Sequence, residues 1–138
     1  MKESNELQAA RKQLARAEAG FDTQGGLAHL QEGLALLDDV IELDDDERTI
    51  ARNLAATYAG KVFARVQTSI EADRAVPQPM LEHYFKMLLA FDTGDFELPE
   101  QSRAVKIAVV RRLVDLLYEG YPEAHKQAAL KQLSEITR

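Results

Sequence analysis

Cysteine is absent from the 138 residues of this chain. That removes disulfides, thiolate zinc centres, iron–sulfur clusters and thiol nucleophiles from consideration. The N-terminal stretch MKESNELQAARKQLARAEAG lacks the apolar run of a signal peptide. No segment approaches the roughly 18 apolar residues that a membrane-spanning helix needs. The expectation is a soluble, cytoplasmic protein with no membrane partner. Signatures of nucleotide and hydrolase chemistry are missing too, with no P-loop, no dinucleotide GxGxxG and no GxSxG. His29, His83 and His125 form no HExxH, and none follows a Glu by three residues as a carboxylate-bridged di-iron bundle requires. Neither a catalytic site, a metal nor another cofactor is expected.

What is present is ordinary for a globular chain: 46% hydrophobic and 29% charged residues, far from the composition of disorder. The length suits a single domain, residues 1–138, with one proper core. The net charge of −6 repels a phosphate backbone, so nucleic acid is not an expected partner. The charge is also unevenly distributed. Residues 1–47 hold 12 acids and 4 bases, whereas residues 48–138 hold 11 acids and 13 bases.

Apolar spacing is helical along most of the chain, and no alternating strand pattern occurs. Ser4 is a good N-cap for a first helix whose face carries Leu7, Ala10, Leu14 and Ala17. Gly20 is expected to end it in a left-handed conformation, and Gly25-Gly26 reads as a turn. Leu27, Leu30, Leu34, Leu37 and Ile41 define a second helix, with Val40 widening the stripe. Gly33 in its interior suggests close approach of a neighbouring helix.

Carboxylates around Glu47 favour a fresh helix start, and Ile50, Leu54, Tyr58 and Val62, with Ala51, Ala55 and Val66 beside them, mark its expected face. Gly60 is a candidate bend, and Val76-Pro77-Gln78-Pro79 a stop after helical character reaching to Arg74. A fourth helix presents Met80, Leu81, Tyr84, Met87, Leu88 and Phe91. A loop over residues 91–100 follows, with Pro99 suited to the first turn of a fifth helix. That helix is apolar over most of its circumference, from Val105 to Leu117, and is expected to be central. Gly120 ends it, and Pro122 starts a sixth with Ala129, Leu130, Leu133 and Ile136. The expected class is all-α, about six helices in antiparallel hairpins.

The junction LDDVIELDDD followed by ARNLAATYAG at residues 51–60 resembles that between two tetratricopeptide repeats. Leu37, Val40 and Leu43 match the end of one helix, and Leu54, Ala55 and Tyr58 the start of the next. The resemblance covers about residues 33–60. A shift of 34 residues carries the second trio onto Leu88, Leu89 and Asp92, so only Leu54 finds its like. The resemblance implies a short tetratricopeptide-like array as an alternative to a closed bundle, and peptide or protein binding on a concave face. It carries over no individual binding residue.

The residues that stand out beyond the core are charged or aromatic. Asp38, Asp39, Glu42, Asp44, Asp45, Asp46 and Glu47 crowd into ten positions. They form either a solvated, helix-capping corner or a docking patch for a basic partner; the EF-hand register is absent. Arg103, Lys106, Arg111 and Arg112 are the natural counter-charge, meeting that corner within one chain or across a homodimer, or they are ordinary surface cations. Tyr58 and Tyr84 are candidates to line a groove. Phe96, with Leu98, is an apolar residue in a polar loop that must pack inward or face a partner. The expected function is a protein-interaction or scaffolding module for a protein or peptide partner, with self-association into a homodimer as one form. The alternative is a small-ligand-binding or enzymatic bundle, favoured by a pocket that places a histidine beside carboxylates.

Overall fold

The structure is a computed structural model that describes residues 3–71, 75–91 and 103–134. Those residues form an all-α fold: α1 (Asn5–Ala19), α2 (Gln24–Leu43), α3 (Arg48–Glu71), α4 (Gln78–Leu89), α5 (Arg103–Leu117) and α6 (Glu123–Gln132). None of these helices is long and apolar enough to cross a membrane.

Local chemistry accounts for the boundaries. Ser4 caps α1 by accepting a hydrogen bond from the Leu7 amide at 3.2 Å, so one of the four orphan donors is satisfied. At the other end Gly20 has φ −108, an ordinary backbone value rather than the expected left-handed one. Thr23 makes the connection instead: its hydroxyl donates to the Gly20 carbonyl at 2.7 Å and accepts from the Gly26 amide at 3.0 Å. Gly25 and Gly26 therefore open α2 and are not a turn. A Cβ on Gly26 would lie 2.0 Å from the Gly20 carbonyl oxygen, so only glycine lets α2 start directly against the end of α1.

The α1–α2 hairpin is antiparallel. Gln13 meets His29 through Oε1 and Nδ1 at 2.6 Å, and Gly33 admits Leu14, whose side chain lies 3.0 Å from where a Cβ would be. α3 then returns alongside α1 in parallel. Three contacts fix the register, each joining residues 43 apart: the Ser4 amide to Glu47, Glu18 to Lys61, and Asp22 to Arg65.

Small residues line the first half of α3's buried face, Ala51, Ala55 and Ala59; Val62, Phe63, Val66 and Ile70 line the second. Ile50, expected on that face, is 38% exposed, because the helix is rotated to turn its alanines toward α1 and α2. Gly60 does not interrupt α3.

α4 buries Leu81, Tyr84, Phe85, Met87 and Leu88 and packs on α2, α3 and α5. Gln78 donates to the Leu117 carbonyl at 2.7 Å, closing the end of α5. α5 buries Val109, Val110, Leu113, Val114 and Leu117, but Val105 is 38% exposed, so one side of it faces outward. Gly120 makes the stop expected of it, and does so at φ 86, in the left-handed region. Phe96, Leu98, Pro99, Arg74 and Ile136 lie outside the described residues.

Candidate binding groove

The seven acids at the α2–α3 corner do different things. Asp44 Oδ1 accepts from the amides of Asp46 and Glu47 at 3.0 and 3.1 Å, closing the turn. Asp45 pairs with Arg48, whose Nε donates to the Ile41 carbonyl at 2.6 Å. Glu47 Oε2 accepts from the Ser4 amide at 3.0 Å, while its Oε1 is buried without a hydrogen-bond partner. Asp38 is half-buried, and Asp39, Glu42 and Asp46 are exposed. Leu43 stands among them at 83% exposure.

Of the expected counter-charges, the side chains of Lys106, Arg111 and Arg112 are among the described residues. Lys106 is buried at 4% exposure. Arg111 and Arg112 are exposed, and among the described residues neither pairs with the acidic corner. The side chain of Arg103 lies outside what is described.

At the N-terminal edge Arg11 grips Glu3 through two nitrogens, Nε to Oε1 at 2.8 Å and Nη2 to Oε2 at 2.7 Å. That hydrogen bonding holds the Glu3 carboxyl below its ordinary value and the Arg11 guanidinium above its own.

Between the end of α1 and the middle of α3 lies an open groove of about 530 Å³, within the size range of ligand sites. Phe21, Leu30 and Met87 form its floor; Ala17 and Ala64, both small, hollow out its sides. Along α3 it runs from Tyr58 to Thr68, roughly 15 Å at 1.5 Å per residue. Tyr58 is half-buried in the wall. Tyr84 is only 5% exposed, so it belongs to the core and not to a docking face.

The rim is charged in two rows. Glu18 and Asp22 stand on the α1 side, Lys61 and Arg65 on α3, and the two pairs bridge the groove at 3.2 Å each. Lys61 Nζ also lies 4.8 Å from the centre of the Tyr58 ring, and the Arg65 guanidinium 5.3 Å from that of Phe21. Phe21 was not among the residues that the sequence reading singled out. Its signal was the apolar residue directly after the helix end, packing back on the helix that precedes it.

A second hollow, about 520 Å³, lies where α4 meets the α1–α2 turn, with His83 beside Asp22 and Glu82 on its wall. His83 is 8% exposed, and its Nε2 lies 2.6 Å from the Phe21 carbonyl oxygen. As the only partner there that can give a proton, the imidazole donates. No group of three or more His, Asp or Glu is arranged to hold a metal ion among the described residues.

No family model, curated protein or solved structure matches the chain.

Proposed function

We propose that this protein is a non-enzymatic interaction module that receives an apolar element of a partner protein in the groove between α1 and α3. The observation that carries the reading is the groove itself, a concavity of about 530 Å³ lined mostly by apolar side chains along three turns of α3. Half-buried Tyr58 is the kind of amphipathic wall residue that interfaces favour. The tetratricopeptide-like junction points the same way, since its second helix supplies that wall.

The hollow at His83 favours a second reading, a small-ligand or catalytic site with a histidine beside carboxylates. Because His83 Nε2 is committed to the Phe21 carbonyl, its evident work is to fasten α4 to the α1–α2 turn.

Ala64 is exposed on a helix, so Ala64→Trp fills the groove without burying a new group in the core. A random 16-residue peptide library is displayed on phage, selected on the wild-type protein and counter-screened on this variant. Selected peptides should bind the wild type and lose at least tenfold in affinity to Ala64→Trp. Binders indifferent to the substitution would place the interaction elsewhere, and an absence of binders would count against the module.

A further inference from the structure

We propose that this chain associates with a second copy of itself head to tail, Leu43 of one copy entering the seam between α5 and α6 of the other. The corner supplies the knob. Leu43 is 83% exposed at the end of α2. The turn after it is fixed, because Asp44 accepts from the Asp46 and Glu47 amides and Arg48 donates to the Ile41 carbonyl. A single exposed leucine is ordinary on a protein surface. This one is flanked by Asp39, Glu42 and Asp46, whose exposed carboxylates make no hydrogen bond or ion pair among the described residues.

The seam is the complement. A concavity of about 320 Å³ lies between α5 and α6, with Ile107, Val110 and Leu130 along it, Arg111 on the α5 side and Lys131 on the α6 side. No acid lines it among the described residues. Asp115, one turn further along α5, is held by Lys126 at 3.6 Å. Arg111 and Lys131 are exposed and pair with no acid among the described residues. Two cations of an acidic protein therefore flank an aliphatic hollow without a counter-charge.

A leucine with carboxylates on its flanks matches that arrangement: its methyls meet the aliphatic side chains, and its acids meet Arg111 and Lys131. Both sets of charges are free beforehand, so no existing ion pair has to break. They also come from opposite sides of the charge asymmetry, since residues 1–47 hold 12 acids and 4 bases and residues 48–138 hold 11 acids and 13 bases. The net charge of −6 opposes approach of two copies at a distance, and one leucine with its flanks buries little area. The contact is accordingly weak and concentration-dependent. Because corner and seam are different surfaces, a pair formed through one contact leaves one of each free.

Sedimentation equilibrium of the full chain, from micromolar to millimolar concentration, tests this. The average mass of the wild type should rise with concentration. Leu43→Ser, and Arg111→Glu with Lys131→Glu, should each weaken association at least tenfold. Circular dichroism should show both variants folded, since all three residues are exposed. Mixing the two variants should restore association, because one keeps its seam and the other its corner. Ala64→Trp, which fills the α1–α3 groove, should leave association unchanged. A wild type that is monomeric throughout overturns the proposal. Association that survives either set of substitutions also overturns it and places the contact elsewhere. A mixture that stays monomeric shows that corner and seam do not meet. Association lost in Ala64→Trp gives the contact to the groove instead. Inorganic phosphate that shifts the Arg111 and Lys131 amides in a monomeric wild type assigns the seam to a small anion.

Discussion

Gly26 and Gly60 both sit inside helices, yet substitution should move stability in opposite directions. A methyl on Gly26 would strike the Gly20 backbone at 2.0 Å, and backbone cannot rotate aside. Gly26→Ala should destabilise the fold by about 2 kcal/mol or more. Around Gly60 nothing lies within 4 Å of an added Cβ, so Gly60→Ala should stabilise by about 0.5–1 kcal/mol through helix propensity. Urea unfolding midpoints of the two variants check both signs. Composition alone places the glycines but does not separate them, because the clash comes from a residue six positions away whose carbonyl lies close only in the folded hairpin. Ser4 was legible for the converse reason: a cap interacts within one turn of itself.

Glu3 gives a residue-scale prediction in pH. Its hydrogen bonds to Arg11 depress its pKa from 4.5, so its contribution to stability is present above the unfolded value and is lost as pH falls through the folded one. The Glu3 carboxyl, followed by NMR, should titrate below the ordinary carboxylate midpoint and return toward it in Arg11→Ala. An unchanged midpoint in that variant would contradict the assigned cause.

At the scale of elements, the apolar stripes of α1, α2 and α4 were readable from spacing alone, and each buries most of the face its sequence announces, with Leu27 and Met80 half-buried. α3 was readable in part: Val62, and Ala51, Ala55 and Val66 beside the expected face, are buried. Its larger apolar residues suggested a face centred on Ile50, Leu54 and Tyr58, but its alanines take the buried side and leave Tyr58 to the groove. Small residues win there because they let α3 lie close to two helices at once, a requirement set by its neighbours. α5 was read as apolar over most of its circumference and central, yet its Val105 side faces outward.

The α4 attachment is testable in the same terms. His83→Phe keeps a ring of similar shape but leaves the buried Phe21 carbonyl without its donor. It should cost about 1–3 kcal/mol, measured by urea unfolding, while His83→Gln should recover part of the loss by donating through its amide. Equal stability of wild type and His83→Phe would show that the hydrogen bond does not hold α4.

For the whole molecule, the decisive quantity is the register of α1 against α3. Once residues 43 apart are aligned, Glu18 faces Lys61 and Asp22 faces Arg65, and the uneven charge of the two halves acquires a local meaning at the groove. Nothing in either helix alone states that offset, so the groove was out of reach of sequence reasoning even though Tyr58 was chosen from it. The acidic corner was the converse case: conspicuous in sequence, it is in part a turn closed by Asp44 and tied to α1 through Glu47.

Titration of the isotopically labelled protein with a peptide from the phage selection, followed by amide chemical shifts, tests the central claim most directly. The account predicts perturbations concentrated on Ala17, Tyr58, Val62, Ala64 and Thr68, and their loss in Ala64→Trp. Shifts centred on the acidic corner or on the hollow beside His83, with the α1–α3 groove unmoved, would contradict it.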